Sequence, residues 1–192
     1  MKEKIISILR ESADLKLKFA QDSLDSVINA TNLINKCFKS GGKLLIFGNG
    51  GSASDAQHIS SEFVNRFMLE RKALPAISLA TDSSVITSIA NDSGFENIFS
   101  RQIEALGKKN DIAIGLTTSG NSVNVINGLK AAKRLGMISI VFTGNNFNNI
   151  KKLSKCIISV PSESTARVQE VHITVAHIIC ELVEQQAGNI QK

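Results

Sequence analysis

The feature that most constrains the fold is an alternation of short apolar runs with helical stretches, which begins at residue 43. Five runs are rich in β-branched residues, and four of them are almost continuously apolar, as strands buried on both faces are. The runs are Lys43–Phe47, Ala76–Ala80, Ile112–Leu116, Ile138–Phe142 and Cys156–Val160. Because helical stretches separate these runs, the sequence predicts a parallel sheet with helices on both faces.

Between and after these runs, we predict helices over Ser52–Phe67, Ser84–Ala90, Glu96–Leu106, Asn121–Leu135, Asn145–Lys152 and Ser164–Gln186. The first forty residues are also predicted to be helical, because apolar residues recur there at spacings of three and four until Gly41 and Gly42. The expected architecture is an α/β three-layer sandwich with a five-stranded, mainly parallel sheet. We expect one domain over residues 1–192, with N-terminal helices over 1–40 and an α/β core over 43–192.

Composition excludes several classes of protein. With 43% hydrophobic and 20% charged residues, the 192-residue chain is typical of a globular protein and not of a disordered one. The basic residues behind the net charge of +5 are scattered, and without Trp or Tyr few rings are present on which bases could stack. We therefore expect no nucleic-acid partner. No apolar run reaches the ~20 residues of a membrane helix and no signal peptide is recognisable, so we expect a cytoplasmic protein without membrane contact.

A glycine-rich segment, Gly48–Ala53, follows the first predicted strand and reads GNGGSA. Ligands of parallel sheets bind beyond the carboxyl ends of the strands, and the free N–H groups at the start of the next helix favour an anion. The segment also matches the G-x-G-x-x-A pattern of dinucleotide-binding folds. The alternative is a tight turn from strand to helix with Ser52 or Ser54 as the helix cap.

A second polar segment follows the third predicted strand and reads TTSGNS over Thr117–Ser122. Four hydroxyls and one amide side chain stand at the start of a predicted helix, where a single cap would suffice. Together with open backbone N–H groups, this row of hydroxyls predicts a phosphate site. The segment lacks the Gly-Lys-Ser/Thr ending of a P-loop, and a redundant helix cap is the alternative.

The three histidines of the chain lie on two predicted helices. His58 and Glu62 are four residues apart, so they share one helix face and could hold a metal or place a base beside a ligand. A solvated pair is the alternative. Gln169 and His177 are eight residues apart on the last helix, which is ~12 Å along its axis. Both reach one small ligand only if it lies midway between them, unless a neighbouring subunit supplies one of them.

These segments, in this order, resemble the sugar isomerase (SIS) domain family. The resemblance covers nearly the whole chain. It is carried by GNGGSASDAQH at 48–58 with Glu62 and Arg66, AND at 90–92 with Gly94 and Phe95, TTSGNS at 117–122 and TARVQEVHITVAH at 165–177. Within the family, the similarity is to bacterial isomerases of sedoheptulose 7-phosphate. It implies the SIS fold with a flavodoxin-like sheet, and an aldose–ketose isomerase that works through a cis-enediol(ate).

The resemblance also implies the active-site residues. Glu62 and His177 would be the acid/base pair, and a zinc ion in each subunit would be held by His58, Glu62, Gln169 and His177. The substrate would contact Asn49, Gly50, Gly51, Ser52, Glu62, Asn91, Asp92, Thr117, Thr118, Ser119, Ser122 and Gln169. A carboxylate that binds zinc tightly is a poorer base, so the role of Glu62 stays open between base and ligand. Family members are homotetramers with active sites between subunits, and their product enters nucleotide-activated heptose synthesis for lipopolysaccharide or capsule.

Other functions occur on the same fold. The nearest alternative is a non-catalytic SIS-domain adaptor that binds the replication initiator protein, but such adaptors lack counterparts of Glu62 and His177. A sugar-phosphate sensor attached to a transcription regulator is a second alternative, for which the 192 residues leave no helix-turn-helix segment. A nicotinamide dehydrogenase does not suit the hydroxyl-rich segment. The sequence therefore favours the isomerase.

Overall fold

The centre of the molecule is a sheet of five strands. In the computed structural model, which describes residues 1–188, the strands are β1 Leu44–Gly48, β2 Ala76–Ser78, β3 Ile112–Thr117, β4 Ile138–Thr143 and β5 Cys156–Ser159. Their order is β2-β1-β3-β4-β5. All four pairings are parallel, which confirms the predicted sheet. In this doubly wound order, the chain changes its direction of strand addition between β1 and β3, where ligands commonly bind.

Six α-helices surround the sheet within residues 1–188. They are α1 Lys2–Lys39, α2 Gly51–Val64, α3 Ser83–Ser93, α4 Ile98–Leu106, α5 Val123–Arg134 and α6 Thr165–Gly188. All predicted helices except one are present, with ends that differ by a few residues. The N-terminal helices are a single helix of 38 residues. Short 3-10 turns cover Phe95–Asn97 and Lys151–Leu153.

Alternate side chains of β1 enter two separate hydrophobic cores. Leu44 and Ile46 pack with residues of α1, α2 and α6 on one face of the sheet. Leu45 and Phe47 pack with residues of α4 and α5 on the other face. All four side chains are fully buried, and each such burial stabilises the fold by ~1.5–3 kcal/mol. This burial on both faces confirms the three-layer arrangement.

The helix predicted over Asn145–Lys152 is wrong, because this segment is a loop as far as its final 3-10 turn. Gly144, the residue before the segment, donates its N–H to the carbonyl of Thr118 at 3.1 Å and so ties the end of β4 to the hydroxyl-rich loop. The Thr143 hydroxyl donates to the carbonyl of Asn146 at 3.0 Å. These contacts replace the first helical turn with a loop at the carboxyl edge of the sheet.

Two further predictions concern the chain as a whole. Within residues 1–188, none of the helices combines the length and the apolar character that crossing a membrane requires. The division into a single domain stays a prediction, and its last residues, 189–192, lie outside the described part of the chain.

Candidate functional site

The candidate site lies at the carboxyl edge of the sheet, where β1 and β3 are neighbours. The loops that follow these strands lead into α2 and α5, and neither helix is capped by a side chain. By contrast, the Asp82 carboxylate accepts a hydrogen bond from the Val85 N–H at 3.0 Å and caps α3. In α2 the N–H groups of Ser52 and Ala53 already donate to the carbonyls of Asn49 and Gly50. Both helices still direct the positive ends of their dipoles to this edge, which favours an anion. The two polar segments of the sequence therefore meet at one anion-binding edge.

The glycine-rich loop is shaped by two glycines. Gly50 has φ +55° and ψ −123°, a backbone conformation that other residues rarely adopt. A Cβ on Gly51 would lie 2.5 Å from Nε2 of Gln169, so this glycine allows the α6 side chain to approach the loop. The expected alternative of a cap by Ser52 or Ser54 is wrong, because Gly50 occupies the cap position and no side chain bonds there.

Asn49 is held by a residue that the sequence did not point to. Its side chain and that of Asn124 exchange two hydrogen bonds, each 2.8 Å long. Asn124 is buried near the start of α5, and its Oδ1 atom also accepts from the Val125 N–H at 2.9 Å. This pair joins the glycine-rich loop to α5 and fixes the side chain of Asn49. No spacing rule marks Asn124, because it lies between apolar residues of the helix.

The hydroxyl-rich loop divides into a buried part and an open part. Thr117 is buried, and its hydroxyl donates to the Ser122 hydroxyl at 3.1 Å, so its side chain supports the loop from inside. Thr118 and Ser119 line a cavity of about 350 Å³ together with residues of the loop after β4. The Ser119 hydroxyl accepts from the Asn121 N–H at 3.2 Å. The exposed hydroxyls and the free start of α5 are therefore the groups open to a phosphate.

Three of the four predicted metal ligands come together between α2 and α6. His58 Nε2 lies 3.0 Å from Glu62 Oε1, as their spacing on one helix face predicts. His177 on α6 completes the cluster, and the ligand atoms of the three residues all lie within 4.8 Å of one another. Imidazole nitrogens and a carboxylate oxygen are ordinary zinc ligands, and three protein ligands leave a position for substrate. Across residues 1–188 no other cluster of this kind occurs, so this is the candidate metal site.

The surroundings of His177 suit a residue that binds a metal or transfers a proton. Its Nε2 atom is buried and has no hydrogen-bond partner among residues 1–188. Burial lowers the pKa of the His177 ring and His58 lowers it further, while Glu62 acts in the opposite direction. The Phe67 ring stacks on it at 5.3 Å between centroids and an angle of 29°. The lowered pKa favours the neutral form of the ring, which lies beside a carboxylate and has one nitrogen without a partner among the described residues.

The other predicted site residues lie apart from this cluster. The Gln169 side chain lies against Gly51 at the start of α2. Gly51 precedes His58 by about two turns of that helix. Asn91 and Asp92 are exposed near the end of α3, where the Asn91 amide donates to the Asp92 carboxylate at 2.7 Å. Their contacts with the sugar stay predictions.

Asp55 also belongs to this region, although the sequence did not single it out. It lies one turn before His58 on α2, and its Oδ2 atom is buried without a partner in the described part of the chain. Burial raises the pKa of the Asp55 carboxyl, and His58 opposes this effect. A pattern search gives no signal for Asp55, because acidic residues near helix starts are common.

The fold is that of a sugar isomerase domain. The family model described as SIS domain matches residues 9–144, so the chain belongs to the SIS domain family. Over 185 residues it is 51% identical to the phosphoheptose isomerase of Aquifex aeolicus (strain VF5), which covers 96% of this chain and 97% of the relative.

Two solved structures are similar over nearly the whole chain. The phosphoheptose isomerase GmhA of Neisseria gonorrhoeae is 37% identical with a TM-score of 0.90, covering 96% of this chain and 98% of that one. A phosphoheptose isomerase of Francisella tularensis is 35% identical with a TM-score of 0.91, covering 95% and 97%.

Proposed function

We propose that this chain is an isomerase, an intramolecular oxidoreductase, which converts sedoheptulose 7-phosphate to D-glycero-D-manno-heptose 7-phosphate. The observation that carries the proposal is the meeting of Glu62 with His177 in the domain whose sheet edge has two uncapped helix starts. An acid/base pair joined to an anion site is what the isomerisation of a sugar phosphate requires. The relatives that are named phosphoheptose isomerase support the same reaction.

The reaction moves one proton between adjacent carbons and one between adjacent oxygens. Glu62 takes a proton from C1 of the ketose and returns it to C2, through a cis-enediol(ate). His177 takes the proton of the C1 hydroxyl and delivers it to the oxygen on C2, so the atoms balance. The lowered pKa of His177 supports this role, since a neutral ring can accept a proton.

The substrate phosphate would be bound by the hydroxyl-rich loop, through Thr118, Ser119, Ser122 and the start of α5, while the buried Thr117 hydroxyl would hold the Ser122 hydroxyl in place. The sugar would contact Asn49, Gly50, Gly51, Ser52, Asn91, Asp92 and Gln169. Binding of the distant phosphate orients the reacting carbons and contributes to the rate of the chemical step. The Asn49–Asn124 pair supports this assignment, because it holds the glycine-rich loop and the start of α5 together.

We also propose that the cluster holds one zinc ion, with His58, Glu62 and His177 as ligands from one chain and Gln169 of a neighbouring subunit as the fourth, since Gln169 of the same chain lies against Gly51. The fit rests on the donor set and on the buried, unpartnered Nε2 atom of His177 within the described residues. A bound zinc ion supplies Lewis acidity at the substrate carbonyl oxygen. Glu62 has two oxygens and His177 has two ring nitrogens. The carboxylate can therefore hold the ion with one oxygen and move a proton with the other, whereas the neutral imidazole has one free lone pair, which either binds the ion or accepts a proton.

The assembly that we propose is a homotetramer with active sites between subunits. The apolar side chains of Ile5, Leu9, Leu17 and Leu24 on α1 support it, because they are exposed by 52, 64, 66 and 57% in the single chain. Such side chains favour burial against another subunit. Sedimentation equilibrium tests the proposal, and a monomer at micromolar concentration would contradict it. Cytoplasmic location and the supply of heptose for lipopolysaccharide or capsule stay predictions.

The decisive experiment follows turnover of sedoheptulose 7-phosphate by the purified protein. Wild type, Glu62→Gln and His177→Ala are compared, each with chelator and then with added zinc. We expect both variants to lose activity by ~10²–10⁴-fold, as loss of a general acid or base does. Chelator should inactivate wild type and zinc should restore it. Glu181→Gln, an exposed change on α6, is the matched control and should leave turnover unchanged.

Two outcomes separate the isomerase from its alternatives. If folded wild type with zinc does not convert the substrate, the isomerase proposal is wrong and the adaptor or sensor becomes the better reading. The proximity of Glu62 and His177 argues against the adaptor function, because an adaptor does not need an acid/base pair. If turnover persists in chelator, the enzyme proposal stands and the zinc proposal fails.

A further inference from the structure

A buried carboxylate anchors the segment that follows α2. Residues 65–75 form neither helix nor strand, so other contacts must hold them. Glu184 on α6 is 1% exposed and accepts hydrogen bonds from three consecutive backbone N–H groups of this segment. The donors are Phe67, Met68 and Leu69, at 2.9, 2.6 and 2.8 Å. One side chain of α6 therefore fixes the path of the chain beside the site.

Arg71 links this carboxylate to the helix that carries Glu62. Its Nε atom lies 3.0 Å from the Glu184 carboxylate, and both side chains are almost fully buried. Its two other nitrogens donate to the carbonyls of Glu62 at 2.7 Å and Phe63 at 2.9 Å. These carbonyls belong to the last turn of α2, where no intrahelical partner is available. The arginine thus holds the backbone of Glu62 from the side of α6.

The same anchor places a ring on His177. Phe67, whose N–H is bonded to Glu184, stacks on the His177 ring at 5.3 Å. Glu184 follows His177 by seven residues on α6, which is two helical turns, so both lie on one face of the helix. Through Arg71 and Phe67, the Glu184 carboxylate therefore reaches both members of the acid/base pair.

The energetics of this arrangement fit a role beyond stability. Burial alone raises the pKa of the Glu184 carboxyl, but the three N–H groups and Arg71 lower it below its ordinary value. The pair is therefore charged, and a buried ion pair is seldom more stabilising than apolar residues of the same volume. What the pair does provide is a fixed geometry, because the planar guanidinium bonds in defined directions.

We propose that Glu184 and Arg71 are positioning residues that fix Glu62 and His177 at their working separation. The proposal rests on the proposed function, because it assigns both residues relative to the acid/base pair. Neither residue touches the reacting atoms. Their effect passes through the carbonyl of Glu62 and the ring of Phe67.

The test compares Glu184→Gln and Arg71→Lys with a matched anchor at the opposite edge of the sheet. Asp111, immediately before β3, is also buried and accepts from the N–H groups of Lys43 and Lys108 at 3.0 and 2.9 Å. It also pairs with the Lys43 ammonium group. Asp111→Asn therefore removes a similar anchor far from the acid/base pair.

We expect Glu184→Gln and Arg71→Lys to lower kcat by ~10–100-fold, as loss of residues that orient reacting groups does. KM for sedoheptulose 7-phosphate should change little, since the phosphate site is untouched. Asp111→Asn should lower the melting temperature and leave kcat unchanged. If Glu184→Gln and Arg71→Lys behave like Asp111→Asn, with lower stability and unchanged kcat, the positioning role is wrong.

A second measurement does not depend on turnover or on metal. The chain has three histidines, so a spectrum of the labelled imidazole groups in chelator contains few signals. Phe67→Leu identifies the ring-current shift that the stacked phenyl group causes at His177. Glu184→Gln and Arg71→Lys should reduce that shift, while the His172 signal stays in place. An unchanged His177 shift in both folded variants overturns the proposal, even if wild type proves not to be an isomerase.

Discussion

Two histidines lie five residues apart on α6 and have opposite surroundings. His172 is fully buried, and its Nε2 atom lies 3.2 Å from the Thr143 carbonyl oxygen. Its ring meets Phe142 edge-on at 5.6 Å, and its Nδ1 atom has no partner among residues 1–188. His177 is half-buried and lies beside the His58 ring at 4.9 Å. The helix therefore turns one histidine to the core and the other to the site.

The comparison shows that burial alone does not identify a functional histidine. Burial lowers the pKa of both rings, and for His172 it does so more strongly, to about 4. What distinguishes His177 is its neighbours, since His58 and Glu62 both act on its charge. The strongest effect on His172 besides burial is the hydrogen bond to Thr143, which opposes the lowering. A charged partner, and not the size of the pKa shift, distinguishes the ring that we propose as the functional one.

The largest effect is expected from exchanging either histidine for asparagine. His177→Asn should lower kcat by ~10²–10⁴-fold while the free energy of unfolding changes little, because the ring is the proton carrier that we propose and is only half-buried. His172→Asn should leave kcat within about twofold and lower the free energy of unfolding by ~1–3 kcal/mol, because a buried contact is lost. Turnover assays and urea unfolding measure both. Equal losses of activity in the two variants would contradict the assignment of His177 to the site and of His172 to the core.

The second effect is the pH dependence of stability that His172 causes. Its pKa falls from 6.5 in the unfolded chain to about 4 in the folded one. Between these values the unfolded state binds more protons, so stability is lost as pH falls from about 6.5 to about 4. The loss amounts to about 3 kcal/mol, at 1.36 kcal/mol for each pH unit of the difference.

Urea unfolding of the zinc-free protein at several pH values checks this expectation. His172→Asn has no titrating group at this position, so its stability should vary less across the same range than that of wild type. His177→Asn serves as the comparison. The pKa of His177 is lowered less than that of His172, so its loss should change the slope of stability against pH less. Parallel curves for wild type and His172→Asn would show that His172 does not titrate with unfolding.

The sequence allowed prediction of features that depend on local periodicity. The five strands follow from apolar runs, and the contact of His58 with Glu62 follows from their spacing on one helix. The meeting of the two polar segments follows from parallel strand order, since β1 and β3 end at the same edge. Each of these inferences needs only neighbours in sequence or one rule of topology.

The features that escaped prediction depend on contacts between distant residues. Asn49 and Asn124 are 75 positions apart in the sequence. Glu184 is 117 positions from Phe67, whose N–H donates a hydrogen bond to it. No pattern in the chain connects such residues, because their bonds depend on how the elements pack. The wrong helix over 145–152 has the same origin, because the residue before it, Gly144, bonds to the hydroxyl-rich loop that follows the neighbouring strand β3.

The smallest effect tests the contact between α6 and the glycine-rich loop, on the His177 side of the helix. A methyl group on Gly51 would lie 2.5 Å from Nε2 of Gln169, so Gly51→Ala must displace this flexible side chain. We expect kcat/KM to fall by about 10-fold, as displacement of a residue that orients the site does. The melting temperature should stay or rise, since alanine favours a helix start more than glycine. Ser54→Ala, an exposed change in the same turn, is the control. If kcat/KM of Gly51→Ala stays within twofold of wild type, Gln169 does not act from its position against Gly51. The residues of α6 that serve the reaction would then be limited to His177 and its neighbours.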